Sequence, residues 1–238
     1  KFLLYGFAIQ QVSSLLLGVT KRASQFTSLK DSFDDLTESA NFSADSFEKL
    51  SIATDRTISK MDLYKQANNA MLLGIFESSD QMAEMFDIAQ RLGKALGQDA
   101  VMSIESLVTG LGRQSKLMLD NLGIVFSVEK AYKEYAKELG KNVDSLTDAE
   151  RKQAFTNKAI KEAKELVSDL SKEVFTLSDM IDMWGAATQN FLNESAPQFL
   201  EWLFKVAPAM DVNDKKFQQL IDSKNELKES TDDLRNAE

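Results

Sequence analysis

TDAERKQAFTNKAIKEAKELVSDLSKEVF, residues 147–175, is the stretch that decides the fold. It opens on a capping box: the Thr147 hydroxyl accepts from an amide of the first turn, while Glu150 reaches back to the start of the helix. Neither proline nor glycine interrupts the run from there to Phe175, and Ala, Lys, Glu, Gln and Leu are good helix formers. The reading is one helix of about twenty-eight residues, which at 1.5 Å per residue is roughly 42 Å long.

The rest of the chain carries the same signature. Among 238 residues only Pro197 and Pro208 break the run, so long helices are permitted throughout. No segment shows the period-2 alternation with Asn-Gly or Asp-Gly turns that hairpins need. The expected class is all-α: a helical module with long amphipathic helices and coiled-coil-like flanks. Hydrophobic residues make up 43%, in line with globular proteins rather than disordered ones. The chain begins at Lys1 rather than Met, and the expectation is an ordered piece of a longer polypeptide.

Lys and Arg total 28 against 37 Asp and Glu, a formal charge of −9. An acidic chain repels phosphate backbones, which argues against nucleic-acid binding. Cysteine and histidine are both absent. That removes disulfides, thiol nucleophiles, Ser-His triads, and thiolate or imidazole metal sites. Carboxylate and lysine chemistry remain as the main catalytic possibilities, and no carboxylate pair stands in a distinctive apolar setting. The expectation is no enzyme, no cofactor and no metal.

Residues 2–19, FLLYGFAIQQVSSLLLGV, are apolar but polar at their centre, at Gln10, Gln11, Ser13 and Ser14. A helix packed on other helices is the first reading; a membrane-active helix is the alternative, with a signal peptide third because no small-residue cleavage pattern follows. Phe26, Leu29, Phe33, Leu36 and Ala40 come next at spacings of 3 and 4, which fits equally the seam of a heptad repeat and an amphipathic helix packed in a local bundle. Phe217, Leu220, Leu227 and Leu234 repeat that theme near the other end, with Lys224 and Thr231 at intervening seam positions. Both sets are candidate oligomer contacts. The division is therefore an apolar helix and heptad segment (1–41), a helical module (42–208) and a coiled-coil-like helix (209–238).

Inside the module, Met82, Met85, Phe86, Ala89, Leu92 and Leu96 line one helical face, with Gly97 placed to close it in the left-handed conformation. The methionine pair reads as core filler. Asp99 and Ser127 are candidate caps for the next helices. Asn68 and Asn69 interrupt an apolar face and suggest a bend. Pro197 fits the first turn of a further helix.

The glycines fail the tests for phosphate chemistry. Gly93-Lys94 is followed by Ala95, not by the Ser or Thr of a phosphate-binding loop. Gly110 and Gly112 are followed by Ser115, which breaks the dinucleotide fingerprint. Gly93 and Gly97 have the spacing of closely approaching helices, or else mark one interior glycine and one helix stop. GLGRQSKLMLDNLGI, residues 110–124, reads as a helix end, a hinge at Gly110 and Gly112, a short helix capped by Ser115, and a stop at Gly123. Arg113 and Lys116 would satisfy carbonyls or face water.

Residues 96–124 together with 131–160 resemble the signature region of tail tape measure proteins of tailed bacteriophages and prophages. The matching elements are Gly110 to Ser115, Leu119 to Ile124, Ala131 to Ala136, Leu139 to Lys141, Leu146 to Glu150, and Gln153 to Asn157. The likeness covers about residues 80–170. It implies a structural protein inside the tail tube or tip of a virion, one that sets tail length, takes part in tail assembly and leaves ahead of the genome. The implied partners are sister copies (a trimer favoured), tail tube, baseplate or tail-tip proteins, an assembly chaperone in the host cytoplasm, and the host membrane at ejection. The family has no catalytic residues in this region to carry over. A membrane-active or pore-forming helical protein is the alternative.

Overall fold

A computed structural model describes residues 2–168, 170 and 177–198. The elements are α1 (Phe2–Ser39), α2 (Ser46–Ala53), α3 (Lys60–Leu72), α4 (Ser79–Ala95), α5 (Ala100–Gly112), α6 (Lys116–Asp120), α7 (Val128–Glu138), α8 (Asp148–Ser168) and α9 (Leu177–Asn190). The protein is all-α, and no strand occurs among the described residues. The chain divides into two units, residues 28–189 and residues 1–27 with 190–238. One boundary between them falls inside α1.

Local chemistry starts and stops most helices. Ser59, Ser78, Asp99, Ser115 and Ser127 each accept a hydrogen bond from the amide three residues on. The capping box at α8 forms as read: the Glu150 amide donates to Thr147 Oγ1 at 3.2 Å, and the Thr147 amide to Glu150 Oε2 at 2.9 Å. Gly97, Gly123 and Gly140 adopt φ of 71°, 73° and 65° just past helix ends, where L residues with a Cβ are strained.

In the larger unit α4 packs against α2, α5 and α8, while α5 also meets α3 and α6. Met82, Met85, Phe86 and Ala89 of α4 and Ile104, Leu107, Val108 and Leu111 of α5 are fully buried. Burying each large side chain contributes about 1.5–3 kcal/mol, so the α4–α5 pair is the centre of the fold. The methionines are core filler, as their spacing indicates.

Several expectations need correction. Phe33 does not await a sister copy. It is 3% exposed, and its ring meets Tyr64 at 5.2 Å and Phe47 at 6.0 Å. Leu29 and Leu36 are half-buried. Residues 28–39 of α1 are thus part of the module. Phe26 is also half-buried, whereas Phe217, Leu220, Leu227 and Leu234 lie outside the described residues. Asn68 and Asn69 make no bend, because α3 runs through them and Asn68 is buried, donating to the Leu29 carbonyl at 2.9 Å. α8 stops at Ser168, seven residues before Phe175. Its inward-facing Ala159, Ala163 and Val167 end there, and the Leu170 amide turns back to the Val167 carbonyl at 3.0 Å.

Pro197 starts no new helix. The chain remains helical from α9 through 198 by way of a widened turn at Phe191–Ser195, in which the Ala196 amide bonds the Phe191 carbonyl. Such a turn accommodates the missing amide and added bulk of a proline close behind it. Among the described residues no helix is long and apolar enough to cross a membrane.

Candidate functional site

The residues that carry the family likeness, 110–157, form the end of α5, α6, α7 and the first half of α8. The expected hinge at Gly110 and Gly112 is not where the chain turns. Both glycines are helical, in the last turn of α5, and the reversal falls on Gln114 at φ 51°. There the Ser115 amide bonds the Gly110 carbonyl at 2.9 Å, closing the helix end.

Close approach is the reason for these glycines. A Cβ at Gly110 would lie 2.6 Å from Leu119 Cδ2, and one at Gly112 would lie 2.5 Å from Leu73 Cδ1. Leu119 is fully buried, so it has nowhere to move. Gly93 repeats the device one helix earlier, where a Cβ would overlap the Ser103 hydroxyl of α5. Gly93 therefore marks a close helix approach and Gly97 a helix stop. Gly123 is a true reversal, with the Ile124 amide bonding the Leu119 carbonyl at 3.1 Å.

Leu122 and Ile124 are buried with Leu119, and Gln98 Nε2 donates to the Asn121 carbonyl at 2.7 Å. The α4–α5 loop is thereby tied to the end of α6. On α7 the small Ala131 and Ala136 face inward and are buried. The Tyr132 hydroxyl bonds Gln114 Oε1 at 3.3 Å, and the Arg151 guanidinium lies over the Tyr132 ring, 5.3 Å from its centroid. Arg151 also donates to the carbonyls of Leu146 and Val143, both at 3.2 Å. Phe126 and Phe155 meet edge to face at 5.0 Å.

Glu150 is a strongly perturbed carboxylate. The Lys141 ammonium beside it and the Thr147 amide hold its pKa down at about 2. Lys152 Nζ donates to the Leu73 carbonyl at 2.6 Å, so α8 closes the far end of α3. Lys158 bridges Glu162 at 3.1 Å and Glu134 at 3.6 Å, linking α8 to α7. Neither Leu73 nor Ser103 carried any signal in the sequence, because each matters through a contact with a distant glycine.

Arg113 and Lys116 face water, and neither side chain makes an ion pair or hydrogen bond among the described residues. No group of three or more acidic side chains among the described residues is placed to hold a metal ion. An open cleft of about 450 Å³ between α4 and α8 is lined by Ile160, Lys161, Lys164 and Glu165. Its two lysines already face carboxylates, Glu165 at 3.9 Å and Glu84 at 2.8 Å. Most of the buried residues between Gly110 and Asn157 pack, and their neighbours cap or turn the helices. No family model and no solved structure matches the chain.

Proposed function

We propose that this chain is a folded segment of a tail tape measure protein, a structural component of a phage tail that acts in length determination, tail assembly and genome ejection. The observation that carries the reading is where the likeness falls. Its glycines, alanines, capping residues and buried leucines, from Gly110 to Asn157, are the residues that shape one contiguous helical module. Many of the residues behind the likeness stand at such shape-determining positions, which supports a shared structural unit, since catalysis and ligand binding place different demands on a sequence.

The helical build suits the role. Each residue of continuous helix adds about 1.5 Å, so a helical chain has a length that scales with its sequence. The module then acts as a folded station on the longer protein, meeting tube or tip proteins in the virion and a chaperone during assembly. The test is electron microscopy of tails carrying in-frame deletions outside this module in the full-length protein. Tails are expected to shorten by about 1.5 Å per residue removed, with peptides of this chain present in the purified tails. Tails of unchanged length, or tails that lack the chain, would refute the proposal.

A further inference from the structure

We propose that copies of this chain dock head to tail, the acidic outer face of α1 on one copy seating on a basic corner of the next, where the α5–α6 turn meets α7 and α8. Arg113, Lys116, Arg151 and Lys152 gather at that corner. Gln114, beside Arg113, accepts from the Tyr132 hydroxyl at 3.3 Å, and the Arg151 guanidinium lies over the same Tyr132 ring, 5.3 Å from its centroid. Lys152 Nζ donates to the carbonyl of Leu73, the residue that Gly112 abuts. Lys116 opens α6, just past Gln114. Among the described residues no carboxylate neutralises these charges. Arg113 and Lys116 are exposed and their side chains have no partner. Arg151 is held by the ring and two carbonyls, and Lys152 by one carbonyl. Asp148, one turn before Lys152, is exposed and bonds neither, while Glu150 is engaged by Lys141. In a chain of formal charge −9, uncompensated cations gathered in one place favour an acidic partner.

The same module carries the complement on α1. Phe33 and Thr37 face its core. At 100° per residue, Asp31, Asp35 and Glu38 fall within about 40° of the direction opposite Phe33, so they line the back of the helix over about 10 Å. All three are exposed, and none has a side-chain hydrogen bond or ion pair among the described residues. Asp34 beside them is taken by Lys30. The apolar stripe of residues 28–39 is covered by its own module, so the carboxylate back of α1 is what this segment presents to a sister copy. Exposed ion pairs are weak singly, so the contact needs several and is expected to be reversible. Two different faces that meet make a heterologous contact, which runs on into an open chain or closes into a ring.

Sedimentation of the full chain over a range of concentrations tests this. In about 0.01 M salt, where the screening length is about 30 Å, mass is expected to rise with concentration; in about 1 M salt, where it is about 3 Å, that rise is expected to vanish. Arg113→Glu/Lys116→Glu and Asp31→Lys/Asp35→Lys each set like charges face to face and are expected to weaken association about tenfold or more. The neutral Arg113→Gln/Lys116→Gln is expected to fall between these and the parent. An equimolar mixture of the two reversed chains again places opposite charges across the contact and is expected to recover association. All the substituted side chains are exposed, and circular dichroism melts check that each variant keeps the fold. A parent chain that stays monomeric in low salt would leave the corner to a different acidic partner and overturn the proposal. Association that salt leaves unchanged, or a mixture no better than its separate parts, would overturn it too. The contact stands apart from the tail reading: a monomeric chain can still set tail length, and copies can dock head to tail without a tail.

Discussion

Gly112 at the end of α5 lies so close to Leu73 that a Cβ on it would sit 2.5 Å from Leu73 Cδ1 and 3.0 Å from Leu73 Cβ. Gly112→Ala gains about 0.5–1 kcal/mol of helix propensity, but forcing a methyl into this contact costs about 1–3 kcal/mol. Net destabilisation is expected, and it should shrink in the Gly112→Ala/Leu73→Ala double variant, with a coupling of about 0.5–3 kcal/mol. Urea unfolding of the four chains in the cycle measures it. Additive effects would mean that the two residues do not press on each other.

Glu150 titrates at about 2, well below an ordinary glutamate, because of Lys141 and then the Thr147 amide. A depressed carboxylate contributes stability above its unfolded pKa and loses it as pH falls through the folded value. This contribution is therefore complete above about pH 4.5 and fades toward pH 2. Unfolding curves recorded at pH 5, 3.5 and 2.5 are expected to show a decline that Glu150→Gln makes shallower. An identical pH dependence in the two proteins would contradict the assignment.

Asn68 is buried; its Nδ2 donates to the Leu29 carbonyl at 2.9 Å, while its Oδ1 has no hydrogen-bond partner among the described residues. Asn68→Leu gives up one good bond together with one unsatisfied acceptor, so its cost is expected to be small, about 1 kcal/mol. Asn68→Asp turns a carboxylate toward a carbonyl oxygen in a buried place and is expected to cost about 3 kcal/mol or more at neutral pH. Acid should recover much of that loss as the carboxyl protonates and can donate. Equal stability for the two variants at pH 7 would show that Asn68 does not tie α1 to α3.

Phe33 separates a seam between copies from a core position. Its ring is buried against Phe47 and Tyr64 of the same chain. Phe33→Ala is expected to cost about 3–5 kcal/mol of unfolding free energy, at a midpoint independent of protein concentration. A midpoint that climbs with concentration in the parent chain and flattens in the variant would put Phe33 between subunits instead.

How far the sequence could be read depends on the range of the interactions involved. Thr147 with Glu150, Asp99 with Met102, and Ser127 with Lys130 act across three residues, so their residue types at that spacing carry the message directly. The same holds for Gly97, Gly123 and Gly140, whose left-handed backbone is a local demand. Gly110 and Gly112 misled for the opposite reason. A glycine needed for backbone freedom and one needed for space look alike in a sequence, and only the position of Leu119 and Leu73 tells them apart. The chain reverses instead on Gln114, a residue that bears a left-handed φ only as the surrounding contacts require.

The heptad seam shows the same limit. Phe26, Leu29, Phe33 and Leu36 declare an apolar stripe but not what covers it, since a stripe is equally well buried by its own module or by another copy. Sequence by itself determined that this protein is helical, where α5 to α8 begin, where α4, α6 and α7 end, and that it lacks the side chains of thiol and imidazole chemistry. Only the tertiary structure decided which faces meet: Phe33 on Tyr64, Gly110 on Leu119, Lys94 on Asp179. Helix caps and periodicity are written within one or two turns of chain, whereas packing partners are chosen by shape and desolvation across dozens of residues, and no local pattern encodes that choice.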